Sequence, residues 1–264
     1  MRKIYLLSSV LFVTPFVLNS NVFAADCATQ DCPTLGYTSA SNTGNCVKCP
    51  FGNYWACPKA EEKAVLGQCT GYAKNCSIGQ ILNSDGTCTT DKVSGKTPIG
   101  VVVAIKDNCG YAMTASPIKK GIQWSTEYVN TGAFQSFSWS VAIKDFDVSG
   151  NMTKIIQAGS SSTYPAAYAA LNYAPSAAPT SKGKWALPTA GILNSLYTNL
   201  NAINNAISKV GGTQLTGDNE HIWSSSEYNY GNTWVFCTSD SYGVDNCNKD
   251  FTGSGYVVRP VLAF

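Results

Sequence analysis

Eight of the eleven cysteines crowd into one short stretch, as Cys27, Cys32, Cys46, Cys49, Cys57, Cys69, Cys76 and Cys88. The residues between them are rich in Gly, Asn, Thr and Lys and poor in aliphatic side chains. Residues 25–92 therefore lack the apolar surface for a self-sufficient core and need cross-links to hold a shape. Zinc is the rival to disulfides, since Cys46-Val-Lys-Cys49 is a C-x-x-C pair. A second such pair is missing, and the single histidine, His221, is remote in sequence, so a tetrahedral ligand set is not completed. The stretch reads as a disulfide-stapled module whose connectivity the spacing leaves open.

Disulfides persist in an oxidising compartment, and the start of the chain agrees with export. Met1-Arg-Lys3 precedes an apolar run from Ile4 to Leu18, and Val22-Phe-Ala24 supplies small or uncharged side chains at a cleavage site. Residues 1–24 thus read as a signal peptide removed near Ala24. The run is marginal for a membrane span and is interrupted by Pro15. No later stretch approaches the length needed to cross a bilayer, so the mature chain is expected to carry no transmembrane anchor. It is placed as secreted, on the cell surface or periplasmic. With 18 Lys and Arg against 16 Asp and Glu, the chain has no electrostatic footprint for a nucleic acid or an anionic membrane.

After a linker at Asp91–Pro98 the composition changes, and residues 98–264 read as an α+β domain. Ile99–Ile105 is a β-branched run expected as a buried strand, with Tyr111–Ala115 as its hairpin partner across an Asn108-Cys-Gly110 turn. Tyr164–Tyr173, with Pro165 in its first turn, reads as a short helix. Thr189 is placed to cap a second helix, in which Ile192, Leu193, Leu196, Leu200, Ile203 and Ile207 recur at helical spacing up to Gly211-Gly212. Short aromatic strands follow around Ile222-Trp223, Trp234–Phe236 and Tyr256–Val258. Trp223 and Trp234 each open a strand and read as core. The apolar end, Val261–Phe264, is expected to pair back into the domain's own sheet, because a loose apolar strand aggregates.

Two resemblances add to this reading. Cys46–Tyr54 and Cys76–Cys88 resemble extracellular cysteine-rich repeats of the growth-factor-like kind. More of the chain is covered by the series Asp145-Phe-Asp147, Tyr164-Pro-Ala-Ala167, Gly183–Thr189, Val210-Gly-Gly212, Trp223-Ser-Ser-Ser-Glu-Tyr228 and Val258–Phe264. In that order it resembles the collagen-like-protein C-terminal (Lcl) domain family, which is grouped with the C-type lectin-like and formylglycine-generating-enzyme folds. The resemblance implies two helices packed on a twisted antiparallel sheet, with long loops presented for binding. Some relatives are variable proteins of diversity-generating retroelements, and Tyr228–Tyr256 stands where their varied residues lie. The resemblance also implies an ion-pair or carbonyl partner for Arg259, with Glu227 as the candidate. Cys237 and Cys247 are expected to form a loop-bracing disulfide, which leaves Cys109 as an odd thiol or as a link to the cysteine-rich module.

Tyr supplies rigid contact area, while Ser, Gly and Asn supply adaptable hydrogen bonds, and that mixture is what binding loops use. Tyr228, Asn229, Tyr230 and Asn232, then Ser239, Asp240, Ser241 and Tyr242, then Asp245 and Asn248, are the candidate ligand contacts. Enzyme signatures are missing. There is no G-x-S-x-G elbow to pair with His221, and Ser116-Pro-Ile-Lys119 lacks the companion motifs of its class. Asp145-x-Asp147-x-Ser149-Gly150 opens like a calcium loop, but Ile156 stands where the closing acid belongs. It reads instead as a turn held by Asp side chains. Catalytic relatives of the fold use a close cysteine pair for copper or three histidines for iron; this chain has one histidine. The expectation is an exported, non-catalytic, adhesin-like protein that recognises an extracellular protein or glycan, with no cofactor and no metal. The alternatives are an oxidase or hydrolase descended from the same fold, and a cysteine-linked structural envelope protein.

Overall fold

A computed structural model describes residues 47–48, 55–56, 64–69, 71–215, 220–237 and 243–264. Outside them lie the signal peptide, Cys27, Cys32, Cys46, Cys49 and Cys57, and the candidate contacts Ser239, Asp240, Ser241 and Tyr242. The chain divides into two units, 1–60 and 61–264. In the first, strands β1 (Val47–Lys48) and β2 (Trp55–Ala56) pair antiparallel.

The second unit contains two sheets. Six strands, β3 (Ile81–Asn83), β4 (Cys88–Thr89), β5 (Pro98–Lys106), β6 (Cys109–Met113), β8 (Trp185–Ala186) and β13 (Val261–Ala263), form an antiparallel sheet in the order β4-β3-β5-β6-β13-β8. In β5 every residue from Ile99 to Ala104 is buried, so both faces are covered and an unbroken apolar run suits the position. Its hairpin turn falls at Asp107-Asn108, both at positive φ, one step earlier than expected. Cys109 and Gly110 instead belong to β6. Gly110 is needed there because a Cβ would strike the ring of Phe264, which exchanges two backbone hydrogen bonds with it at 2.9 Å. The apolar end of the chain thus pairs inside the sheet, between β6 and β8.

The boundary drawn at residue 92 does not hold. β3 pairs with β5, and the Cys69–Cys109 disulfide ties residues 64–92 into the second unit, while Cys76–Cys88 closes a loop within that segment. Ile81 and Leu82, both fully buried, do the work of a strand core amid polar neighbours. Cys109 is therefore the link rather than the odd thiol.

Five further strands make the second sheet. These are β7 (Lys119–Lys120), β9 (His221–Glu227), β10 (Asn232–Cys237), β11 (Val244–Asn248) and β12 (Tyr256–Val258), in the order β11-β10-β9-β12-β7. Only β9 and β12 run parallel. The class is α+β, but with two sheets in place of the expected one, and five α-helices among the described residues in place of two.

α1 (Trp139–Ala142) is a single turn. α2 (Val148–Ala158) occupies the calcium-like stretch: Asp147 caps it by accepting from the Gly150 amide at 2.9 Å, and Val148, Met152 and Ile155 are buried. α3 (Pro165–Asn172) is as expected. The long helix after Thr189 is two. The Thr189 hydroxyl caps α4 (Ala190–Thr198), which ends at Asn199, where ψ reaches 20° and the side-chain amide donates to the Ser195 carbonyl. α5 (Leu200–Lys209) then resumes. α4 packs on β5 and on β9 and β10, and so joins the two sheets through one core.

Candidate functional site

The candidate contacts centre on the turn between β9 and β10. The Asn229 side chain accepts from the Gly231 and Asn232 amides at 2.8 and 2.7 Å, an Asx-type closure that fixes the turn and leaves Tyr230 at its tip, 64% exposed. The β10–β11 register pairs Asn232 with Asn248 and Trp234 with Asn246, so strand alternation puts these four on one face. Thr233, Val235, Asp245 and Cys247 take the other. Tyr228, Asn232 and Asn248 are thus brought together, with Asn232 donating to Asn246 at 2.8 Å, while Asp245 is turned away from them. Asn246 was missed in the sequence, where an Asn beside Cys247 carries no sign of its strand parity.

Two neighbouring segments complete the face. From the loop ahead of α1, Phe137 meets the Tyr228 ring edge-on at 5.2 Å; Tyr228 meets Trp234, and Trp139 lies 5.4 Å beyond. Phe137 is 66% exposed. On the other side of the turn, Tyr128 lies against Gly231, within van der Waals range of where a Cβ would stand. It is 48% exposed, and the Asp250 carboxylate that its hydroxyl meets raises its pKa. These aromatic residues were not singled out in the sequence, because they lie about a hundred positions upstream of the turn they flank.

A buried ion pair holds this assembly. Lys249 Nζ reaches the Glu227 carboxylate at 2.6 Å with both side chains sealed from solvent, and it also donates to the Val129 carbonyl at 2.8 Å. The other Glu227 oxygen accepts from the Thr131 amide at 3.0 Å and from its hydroxyl. The ammonium sits 4.6 Å above the Trp124 ring. Burial pushes the Lys249 pKa down, and the Glu227 carboxylate opposes that. The Glu227 backbone binds as well, donating to the Phe134 carbonyl and accepting from Ser136. Glu227, at the end of β9, thereby holds Thr131, Phe134 and Ser136, while Lys249 holds Val129.

The Glu227–Arg259 pairing does not form. Arg259, fully buried, pairs with Glu220 at 2.7 Å and donates to the Ala115 and Thr213 carbonyls. Ser224, Ser225 and Ser226 are also buried and act as braces. The Ser226 hydroxyl donates to Asp145 at 2.6 Å and accepts from the Ala190 amide, while the Ser224 carbonyl accepts from Trp124 Nε1.

The Cys237–Cys247 disulfide is also corrected. The register sets Cys247 opposite Thr233, four residues from Cys237, and the two are not bonded to each other. Four strand residues span about 13 Å, against the roughly 4.4–6.8 Å between Cα atoms that a disulfide allows. Cys237 Sγ lies 3.0 Å from His221 Nδ1, and the Tyr256 hydroxyl donates to Cys247 Sγ at 3.3 Å. Tyr256 stacks on both His221 and Trp223, and burial, with the Cys247 contact second, drives its pKa upward. Cys237 and Cys247 are thus not a close pair, and His221 is the single histidine of the sequence. Among the described residues no group of three His, Cys, Asp or Glu is placed to hold a metal ion, and no helix is long and apolar enough to cross a membrane.

No protein-family model and no curated protein matches the chain. Among solved structures it is similar to a fimbrial protein from Bacteroides ovatus, at 17% sequence identity and a TM-score of 0.42, over 72% of this chain. The match spans about half of that protein, 49% of its length.

Proposed function

We propose that the protein is an exported, non-catalytic, adhesin-like binding protein whose second unit is a C-type lectin-like domain of the Lcl kind. It recognises an extracellular protein or glycan through the face around the β9–β10 turn. One observation carries this reading: Tyr128, Phe137 and Tyr230, from separated segments, converge as exposed rings on a surface braced from beneath by a buried ion pair. Exposed aromatic clusters on a rigid support mark interaction sites, because the rings lose little conformational freedom on binding. The Asn ladder of β10 and β11 adds hydrogen-bonding groups beside them.

The test is a panel of immobilised extracellular-matrix proteins and glycans, probed with wild type and with Tyr230→Ala and Phe137→Ala. Binding lost in both variants at unchanged melting temperature supports the reading. A panel on which wild type binds nothing, or on which both variants bind like wild type, refutes it. Retroelement diversification of Tyr228–Tyr256 belongs to the same proposal. A nearby second copy of the encoding DNA that differs only at adenines is the observation to seek.

A second reading, a hydrolase, is favoured by the Cys237–His221 contact, since a thiol beside an imidazole is an activated nucleophile in other enzymes. Rapid alkylation of Cys237 at neutral pH, abolished by His221→Ala, would favour it over the binding role.

A further inference from the structure

In α2, Val148, Met152 and Ile155 make the buried stripe, and Ile156 is the apolar residue one step beyond it, half-buried. It lines a cavity of about 480 Å³ between α2, α3 and the end of the six-strand sheet made by β6, β13 and β8. No residue of the face around the β9–β10 turn lines it. Small-molecule sites occupy roughly 300–1,000 Å³ and combine apolar walls with a few polar groups. Tyr111, Phe146, Met152, Ile156 and Leu171 supply the walls, and Asp147 and Lys184 are the charged residues of the lining.

The rim is held in place from several sides. The Gly67 amide donates to the Ala263 carbonyl at 2.7 Å, Cys69 is bonded to Cys109, and the Gly183 amide donates to the Leu171 carbonyl at 3.0 Å. A Cβ at Gly67 would strike the Lys184 methylenes, so the glycine lets that side chain lie along the rim. Both charges keep capacity for a ligand. Asp147 Oδ1 accepts from the Gly150 amide, and no hydrogen bond among the described residues uses Oδ2. Lys184 Nζ carries three donors and gives one to the Leu66 carbonyl at 3.0 Å. Neither residue joins a salt bridge among the described residues. Asp145, the next acid along the chain, is turned inward to Ser226 and Asn151 and does not line the cavity. Burial raises the pKa of Tyr111, and the Asp147 charge adds to it, so the field of that carboxylate reaches the cavity wall.

We propose that this cavity binds a small zwitterion with an apolar body, an unblocked apolar amino acid or dipeptide, with its ammonium at Asp147 and its carboxylate at Lys184. A simple cation would satisfy Asp147 and meet repulsion from Lys184, and a simple anion would do the reverse. A zwitterion answers both charges, and its apolar part covers the walls beneath them. Walls already fixed by the cross-link and the backbone bonds lower the ordering cost of binding.

The experiment titrates the purified full chain in a calorimeter with L-phenylalanine and with phenylalanyl-leucine. Phenethylamine and 3-phenylpropionate serve as single-charge analogues, and N-acetylphenylalaninamide carries neither charge. At least one zwitterion is expected to bind, and which one does so distinguishes amino acid from dipeptide. The uncharged amide should bind about tenfold more weakly. Asp147→Asn keeps a side chain able to cap α2 and should weaken the zwitterion and phenethylamine about fivefold while leaving 3-phenylpropionate unchanged. Lys184→Gln should weaken the zwitterion and 3-phenylpropionate and spare phenethylamine. Tyr230→Ala should leave every affinity in place, and the melting temperature of each variant checks that it folds. The inference is overturned if neither zwitterion binds, if the uncharged amide binds equally well, if the affinity survives the Asp147→Asn/Lys184→Gln double variant, or if it falls with Tyr230→Ala. None of these outcomes bears on the role proposed for the β9–β10 face, which is tested with other variants and other ligands.

Discussion

Replacing Lys249 with methionine keeps most of the side-chain volume and removes the ammonium beneath the proposed binding face. The Glu227 carboxylate is then left sealed from water with only the Thr131 amide and hydroxyl as partners, and the Val129 carbonyl loses its donor. Breaking a buried pair in this way costs about 3–5 kcal/mol. The surviving Thr131 contacts place the expected loss near the lower end, about 3 kcal/mol. For a unit the size of residues 61–264, that corresponds to a fall in Tm on the order of 10 °C. Urea unfolding followed by tryptophan fluorescence reads it directly, because Trp124 lies against the ammonium. A Glu227→Gln/Lys249→Met double variant buries no charge and should regain most of the loss. If Lys249→Met alone falls within about 0.5 kcal/mol of wild type, the pair behaves like a surface contact, and the claim that it braces the face is refuted.

Three further outcomes are expected. Cys69→Ser/Cys109→Ser opens a loop of 40 residues, and the chain-entropy relation sets the loss at about 4 kcal/mol; non-reducing peptide mapping of wild type should find Cys69–Cys109 and Cys76–Cys88 but no Cys237–Cys247 peptide. Asn229→Ala removes the side-chain acceptor of two turn amides and should cost about 1 kcal/mol, visible as a lower urea midpoint, while Tyr230→Ala leaves that midpoint in place. The Lys96 ammonium holds the Asp85 carboxyl at about 2, with Thr87 donating as well, against an ordinary value of 3.8. The folded carboxyl therefore stays ionised where the unfolded one protonates. Its contribution is whole above pH 4 and is lost as pH falls through 2. Because the side chain is a third exposed, the effect is under about 1 kcal/mol, and the gap between wild type and Asp85→Asn should close between pH 5 and pH 2.

The local features of the second unit were legible where one residue type decides the conformation. Thr189 capping α4, Pro165 opening α3 and the β-branched β5 follow from elementary propensities. Features decided by partners were not. α2 hid behind an acidic motif that happens to cap a helix, and the break at Asn199 interrupts no hydrophobic periodicity. The register of β10 on β11 separated Cys237 from Cys247 by a distance their sequence spacing does not reveal. Glu227 was rightly marked as half of an ion pair, yet Lys249 and Arg259 offered the same charge, and the side-chain positions chose between them.

The position of β13 bears on how the unit is made. Residues 261–263 lie between β6 and β8, so β8 is joined to the rest of the six-strand layer only through β13. Long-range pairing of this sort is slow. The edge strand β8 therefore takes its place late, when β13 has paired with β6 and offers it a free side.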